Sequence, residues 1–366
     1  MDMLLLRGIV QVLVFLLGLS LVTSTVVSAM RTFVLPRSAP DLLTRAVFGG
    51  MRWLFTLRLR RTHTYLERDR VLELYAPLSL LSLPPVWLML VLGGYMGIYW
   101  ALGISSWYEA FRDSGSALLT LGFAPVDGVL TTLLMFSEAT LGLILAALLI
   151  AYLPTMYAAF SRRETLVTLL EVRAGSPPSA LTMLIRFHLI HGLDHLTDMW
   201  EAWEVWFAEL AESHTSLPAV AFFRSPQPEH AWITAAGAVL DTAALAQSVL
   251  DCPPNPKASL CIRAGYLALR RIADFFSLPY PSDPHFPAQP ISITRAEFDA
   301  ACAELARHDV HLKADRDLAW HDFAGWRVNY DTVLLALCTL TTAPPAPWSS
   351  DRAPQSHLPR LQLKRR

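Results

Sequence analysis

Ser114-Gly-Ser-Ala-Leu-Leu-Thr-Leu-Gly-Phe-Ala124 is the stretch around which the rest of the chain is arranged. It lies between two segments, 76–102 and 128–160, that are each long and apolar enough to cross a bilayer. Backbone that enters a bilayer as a helix and returns extended needs partners for its carbonyl groups, and lipid provides none. Such backbone is tolerated along a water-filled path, where its carbonyl oxygens can replace the hydration shell of an ion.

The composition is that of a membrane protein with an attached soluble part. Of the 366 residues, 53% are hydrophobic and only 17% are charged, whereas soluble domains carry about a quarter charged residues. The shortage of charge is concentrated in the first 160 positions. The formal net charge of −1 gives no electrostatic basis for a nucleic-acid partner, so none is expected.

A further apolar segment precedes the pair of spans. Gly8–Met30 contains no charged residue and meets the length of about 20 residues that a transmembrane helix needs. A cleaved signal peptide is the alternative, since Arg7 precedes an apolar run that ends near Val-Ser-Ala. The run is longer than the roughly 7–15 apolar residues of a signal peptide, which favours a retained helix.

The loop between the first two spans predicts the orientation in the membrane. It carries nine arginines: Arg31, Arg37, Arg45, Arg52, Arg58, Arg60, Arg61, Arg68 and Arg70. Basic residues near span ends mark the cytoplasmic side, so we expect the N-terminus outside and the C-terminal part in the cytoplasm. Within the loop, Asp41–Arg61 has the pattern of a basic amphipathic helix capped by Asp41. It either lies in the headgroup plane or packs on the soluble part as a linker.

The part after the third span is predicted to be soluble and helical. Its helical patterns are separated by breaks rich in proline and glycine. The predicted helices are Leu181–Glu212, Ala231–Leu250, Leu260–Phe276, Arg295–His308 and Trp320–Leu340. The tail from Ala343 onward is rich in proline and serine and is expected to be disordered.

Cysteine spacing and catalytic motifs give no indication of an enzyme or a cofactor. The four cysteines match no zinc or Cys-x-x-Cys spacing, and we expect them as free thiols on the reducing side: Cys252, Cys261, Cys302 and Cys338. The sequence has no Gly-x-Gly-x-x-Gly, phosphate-binding loop or Gly-x-Ser-x-Gly motif. We therefore expect neither enzymatic activity nor a cofactor.

The predicted helix 181–212 carries two patterns with alternative interpretations. His188, His191 and His195 fall on one helical face, where one more ligand would complete a zinc site, although a plain polar face is the simpler interpretation. A membrane-anchored, metal-dependent enzyme is the corresponding functional alternative. An aromatic stripe is expected to serve core or subunit packing: Trp200, Trp203, Trp206 and Phe207.

The re-entrant stretch and the span after it resemble the pore module of the two-span bacterial potassium channels. In that family a pore helix leads into a filter that reads Thr, an aliphatic residue, Gly, Tyr or Phe, and Gly. The matching positions here are Thr120, Leu121, Gly122, Phe123 and Ala124. Many relatives carry Glu-Ala followed by a glycine in the inner helix, which is similar to Glu138-Ala-Thr-Leu-Gly142. The resemblance covers 76–164, about a quarter of the chain.

The resemblance implies a homotetrameric channel for potassium or other monovalent cations. Carbonyl groups of residues 120–123 would coordinate dehydrated ions, with the Thr120 hydroxyl at the inner end and Phe123 packing behind the filter. Glu138 would support the pore helix through Ser114, Ser116 or a backbone amide, or else line the cavity. Gly142 would act as a hinge or would simply allow close helix contact.

Two positions depart from the family pattern. Ala124 stands where the family has glycine, and Pro125 stands where it commonly has aspartate. A Cβ at the fifth filter position costs about 1–2 kcal/mol if that residue is left-handed. Potassium selectivity is therefore an open question, and a non-conducting membrane sensor or scaffold with a pore-like fold is the alternative function.

The expected fold is an all-α, multi-pass protein of the cell membrane. It consists of a potassium-channel-like pore module with an extra N-terminal transmembrane helix and a helical cytoplasmic domain that gates or assembles the pore. The expected domains are 1–75, with the first span and the basic helix; 76–164, the pore module; 165–342, the cytoplasmic domain; and 343–366, the tail.

Overall fold

Regular secondary structure in the described part of the chain is helical. The computed structural model describes residues 2–33, 42–60, 62, 64–104, 106–124 and 128–353. Apart from one antiparallel bridge between Leu250 and Leu312, these residues form thirteen α-helices and two short 3₁₀ helices. The prediction of an all-α protein is confirmed.

Three of the helices are long and apolar enough to cross a bilayer. The α-helices are α1 (Asp2–Phe33), α2 (Leu42–Leu59), α3 (Tyr65–Glu73), α4 (Tyr75–Ala101), α5 (Trp107–Leu118), α6 (Val129–Ala174), α7 (Ala180–Leu189), α8 (Leu196–Ser216), α9 (Trp232–Val249), α10 (Pro256–Phe275), α11 (Arg295–Arg307), α12 (Arg316–Arg327) and α13 (Asp331–Thr341). The candidate spans are Leu5–Phe33, Tyr65–Ala101 and Val129–Ala174. The chain therefore has the make-up of a multi-pass membrane protein.

The chain divides into two compact units. The first consists of Met1–Leu54 and Tyr75–Tyr157, and the second consists of Phe55–Leu74 and Ala158–Arg366. The domain boundaries predicted from the sequence follow residues 75 and 164. The division found here gives α3 to the second unit and assigns α6 to both units, with the change at Tyr157.

Within the first unit, α1 and α4 approach each other through glycines. A Cβ on Gly18 of α1 would lie 2.5 Å from the carbonyl oxygen of Gly94 on α4. The indole N–H of Trp87 on α4 donates to the hydroxyl of Ser28 on α1 at 3.2 Å. Small residues that admit a close backbone approach, with a polar bond between the helices, are typical of helix pairs in membranes.

Within the second unit, α9 is the central helix. All of its residues except Gln247 are buried, as expected of a helix that is apolar all round. The predicted aromatic stripe lies on α8 and is buried in the same core. A Cβ on Gly265 of α10 would lie 2.4 Å from the Leu240 side chain and 3.0 Å from the Phe207 ring, so α8, α9 and α10 meet at this glycine.

A buried charged network joins α9 to the C-terminal helices. The Arg327 guanidinium donates to both oxygens of Asp241 at 2.6 and 2.7 Å, to Asp331 at 2.7 Å and to the carbonyl of Trp348 at 2.7 Å. The Tyr330 hydroxyl donates to Asp241 at 2.8 Å. Since each of these polar groups is paired, the network can remain charged inside the core.

One short segment of the second unit, Val220–Arg224, binds α6 and α3. Arg163 of α6, only 3% exposed, donates to the carbonyls of Val220 at 2.8 Å and Phe223 at 2.9 Å. Arg224 lies 3.3 Å from Asp69 of α3. This segment therefore holds the C-terminal part of α6 and the helix that immediately precedes α4.

Two predicted helices are each broken in two. The predicted helix 181–212 is α7 and α8, because α7 ends in a Schellman motif in which Gly192 N–H binds the Phe187 carbonyl at 2.7 Å. His191 is left-handed there, with φ of 53°. The predicted helix 320–340 is α12 and α13, separated by residues 328–330.

The ends of two other predicted elements also differ. Residues 343–353, which were expected to be disordered, include the buried Ala346 and Ser349, and Arg352 forms an ion pair with Glu297. Residues 354–366 lie outside the described part. The predicted amphipathic helix is α2, with Trp53 63% exposed, and its predicted cap, Asp41, lies outside the described residues.

Candidate functional site

The predicted pore helix is α5, and its end positions the filter residues. Ser106 caps its N-terminus, since the Ser106 hydroxyl accepts a hydrogen bond from Glu109 N–H at 3.1 Å. At its C-terminus the N–H of Leu121 binds the Ser116 carbonyl at 2.8 Å, and the N–H of Thr120 binds the Ala117 carbonyl at 2.9 Å. This is again a Schellman motif, and it turns the chain back at Thr120.

The amides of the filter residues are all bonded back to the end of α5. Gly122 N–H is 3.4 Å from the Ser116 carbonyl. The N–H groups of Phe123 and Ala124 both donate to the Ser116 hydroxyl oxygen, at 3.1 and 3.2 Å. Ser116 thus holds the returning backbone through its own carbonyl and its side chain.

The carbonyl groups of the same residues accept no hydrogen bond from the described part of the chain. Among the described residues, no N–H or O–H group donates to a carbonyl oxygen of Thr120, Leu121, Gly122, Phe123 or Ala124. Residues 120–123 are exposed and Ala124 is 1% exposed. The result is a short backbone segment with satisfied donors and free acceptors, which is a chemistry suited to cations.

The backbone angles account for the glycine at position 122 and remove the strain that was expected at Ala124. Gly122 has φ of 70°, a conformation that glycine adopts without strain. Thr120 has φ of 55°, which is costly for a β-branched residue. Ala124 is not among the residues with positive φ, so its Cβ does not incur the left-handed penalty considered for this position.

Glu138 of α6 packs against α4 and α5 and is fully buried. The Ser114 hydroxyl donates to Oε1 at 2.5 Å, and the Tyr99 hydroxyl of α4 donates to Oε2 at 3.0 Å. The carboxyl group therefore links α4, α5 and α6. Ser114 was one of the partners considered from the sequence, whereas Tyr99 and the double role of Ser116 were missed. The tyrosines within the apolar α4 span were the available signal for Tyr99.

At Gly142, α6 lies close to the C-terminal end of α5. A Cβ at this position would lie 2.1 Å from the carbonyl oxygen of Leu118, the last residue of α5. A distance under 3.0 Å to backbone forces a shift of one of the helices. Close helix contact therefore accounts for this glycine, and a hinge role stays a prediction.

The acidic residues of α5 and of the segment after it are not equivalent. Asp113 is 5% exposed and pairs with Arg112 at 3.1 Å. Glu109 is partly exposed in the first turn of α5, and Asp127 lies outside the described residues. Asp113 is thus a structural carboxylate rather than a free charge.

The predicted face of three histidines is wrong. His188 is on α7, His191 is in the left-handed turn after it, and His195 ends a 3₁₀ helix, so the three side chains do not share one helix. Within the described residues no group of three or more His, Cys, Asp or Glu side chains could hold a metal ion. The metal-dependent enzyme therefore loses its structural basis. The four cysteines are free thiols, as predicted.

Comparisons with known proteins identify no relative of this chain. No family model matches the chain, and neither the curated proteins nor the solved structures searched give a match. The resemblance to the potassium-channel pore module therefore rests on the residues of α5, the filter and α6.

Proposed function

We propose that this protein is the pore-forming subunit of a homotetrameric channel for monovalent cations, most readily potassium. The observation that carries the proposal is the segment 120–124, in which every amide is bonded to residues 116 and 117 and no carbonyl oxygen has a partner among the described residues. Lipid offers no hydrogen-bond donor to such carbonyl groups. Four copies around an axis would give rings of carbonyl oxygens that replace the water around a dehydrated ion.

The support behind the filter agrees with this function. A carboxyl group inside a membrane is costly, and such groups are usually functional or paired. Glu138 is paired with Ser114 and Tyr99, so it fixes α5 against α4 and α6 and keeps the filter in place. In this proposal Glu138 is a positioning residue and does not bind ions.

The orientation follows from the basic residues. The arginine-rich loop and Arg162-Arg163 would face the cytoplasm of a cell membrane, and the filter would be entered from outside. The second unit would then be the cytoplasmic domain, and because α6 belongs to both units, it would be the element through which that domain gates or assembles the pore.

The test is ion flux into liposomes that contain the purified chain, first under a potassium gradient and then under a sodium gradient. Gly122→Asp places a charged side chain in the filter and should abolish the flux. Gly325→Asp is the matched control, since a Cβ there meets nothing within 4 Å, and it should conduct as the parent does. Flux that survives Gly122→Asp would show that ions take another path.

A non-conducting sensor or scaffold is the second candidate, because Ala124 and Pro125 depart from the filter pattern of the potassium-channel family. Ala124→Gly distinguishes the two functions. Flux that appears only in Ala124→Gly would indicate a pore closed at its filter. No flux in any variant, from protein shown by light scattering to be tetrameric, would leave the scaffold as the better description.

A further inference from the structure

The second unit contains an apolar groove of about 870 Å³ that no part of the described chain fills. It lies between the C-terminal part of α6, the end of α7 and the start of α8. Its buried or half-buried apolar lining consists of Leu166, Leu170, Phe187, Met199 and Trp203. The volume is within the range of about 300–1,000 Å³ that is usual for small-molecule sites.

The edge of the groove is apolar and exposed. Val172 is 77% exposed, Leu189 is 60% exposed and Ile190 is 71% exposed. All three follow the charged Arg162-Arg163-Glu164 sequence, so they lie beyond the uncharged stretch of α6 that is suited to contact lipid chains. Exposed apolar side chains grouped around a concavity mark a binding site.

Two arginines that line the groove are held by backbone carbonyl groups and keep further N–H donors available. Nη1 of Arg186 donates to the carbonyls of Glu171 at 2.9 Å and Val172 at 2.8 Å. Nη1 of Arg173 donates to the Leu169 carbonyl at 2.9 Å. Within the described residues, the other N–H groups of both guanidinium groups bind nothing. They are therefore held in place with donors left for an anion.

The charge at the groove selects the kind of anion. Arg173 and Arg186 contribute two positive charges, and Asp198, which also lines the groove, contributes one negative charge. The sum of +1 matches a single negative charge, and Asp198 would repel a second one. The partner that fits is thus an apolar chain with a monovalent head.

We propose that this groove binds a long-chain fatty acid, with its acyl chain on the apolar lining and its carboxylate against Arg173 and Arg186. Binding itself is independent of ion conduction. As a regulator, the ligand would stabilise one position of the end of α6, and that role rests on the proposed function.

The test is photolabelling of the full-length protein in nanodiscs with palmitic acid that carries a diazirine in its chain, followed by peptide mapping. We expect labels in the peptides that contain Leu166–Trp203, competed by unlabelled palmitic acid. Arg173→Gln and Arg186→Gln should each weaken the competition about tenfold. Arg263→Gln, at an exposed arginine of α10 outside the groove, is the matched control and should label as the parent does.

A second variant tests the groove without touching the arginines that hold α6. Ala202 is exposed and lines the groove on α8, so Ala202→Trp should fill the space and remove the labels while the Tm is unchanged. Labels found only in the spans, or equal labelling by the uncharged methyl ester, would overturn the proposal. Cross-links between copies at Val172→Cys, with no label in the groove, would assign the surface to self-association and overturn it as well.

Flux assays separate the two proposals. Labels in the groove of a protein that carries no flux would leave the fatty-acid site standing and contradict the channel. Flux from a protein without labels in the groove would support the channel and contradict the fatty-acid site.

Discussion

At the scale of single residues, Ser116 alone holds four of the five amides of the segment 120–124. The Ser116 hydroxyl accepts from two amides, and the Ser116 carbonyl accepts from two more. These bonds keep Thr120 in a left-handed conformation that a β-branched residue adopts only when its surroundings impose it. Backbone strain of this kind tends to occur at functional sites. The segment 120–124 agrees with this tendency, because its carbonyl groups accept no hydrogen bond from the described residues.

Gly142→Ala should destabilise the first unit. The added Cβ would meet the Leu118 carbonyl at 2.1 Å, so α5 and α6 would have to separate, at a cost of about 1–3 kcal/mol for an overpacked contact. A lower Tm and a loss of flux are expected. Gly93→Ala, where a Cβ meets nothing within 4 Å, is the control. Equal Tm values for the two variants would contradict the close approach.

His214 should make the second unit sensitive to acid. Burial, together with the guanidinium of Arg163, holds the pKa of His214 well below its usual value of 6.5, and its Nε2 faces Arg163 Nη1 at 3.4 Å. Below about pH 6.5 the unfolded chain binds a proton on His214, whereas the folded chain does not. The contribution of His214 to the free energy of unfolding is therefore fully present above about pH 6.5 and is lost as the pH falls below that value. The slope approaches about 1.4 kcal/mol per pH unit.

The measurement is Tm between pH 7.5 and 5, compared with that of His214→Gln. The difference between the parent and the variant isolates this residue, and the variant should show the shallower dependence. His285→Gln is the control, because the His285 side chain is 71% exposed. Parallel curves for the parent and His214→Gln would show that the imidazole binds its proton as readily in the folded chain as in the unfolded chain.

The sequence predicted part of the site at this scale. Glu138 was singled out because a carboxyl group in a span requires a reason, and Ser114 was among its expected partners. Ser116 and Tyr99 were not assigned these roles, because which hydroxyl reaches which amide depends on how α5 ends and on where α4 lies. Both depend on tertiary packing, which no local sequence pattern predicts.

At the scale of elements, long apolar helices were predicted well and short helices in the second unit less so. Hydrophobic length alone specifies α1, α4 and α6. The boundary between α7 and α8 was missed because a histidine, rather than the adjacent Gly192, takes the left-handed position. A histidine in that conformation is uncommon, so the sequence favoured a continuous helix.

The segment Val220–Arg224 should depend on its ion pair with α3. Asp69→Asn and Arg224→Gln should each lower the Tm by a few degrees, because each leaves a mostly buried partner uncompensated. The double variant should lose less than the sum of the two. Glu201 and Lys257 form an exposed pair, and Glu201→Gln should change Tm little. Additive losses at positions 69 and 224 would show that the two side chains do not act together.

At the scale of the whole molecule, the second unit depends on one buried arginine. Arg327→Met should cost about 3–5 kcal/mol, because Asp241 and Asp331 would remain as uncompensated buried charges. Arg327→Met combined with Asp241→Asn and Asp331→Asn should recover a large part of the loss. Thermal unfolding of the full chain measures both. A triple variant no more stable than Arg327→Met would argue against charge as the cause.

The bond from Arg327 to the carbonyl of Trp348 also has a consequence for biosynthesis. The acceptor follows the guanidinium by 21 positions, and the three candidate spans are translated well before either of them. A nascent chain that has completed α13 therefore still lacks one partner for its central arginine, and the second unit can close only after the spans have reached the translocon. A premature stop codon just before position 348 would yield a chain that keeps helices α1–α13 but lacks the Trp348 acceptor for one buried N–H group of Arg327, and such a destabilised chain is a substrate for proteolytic quality control.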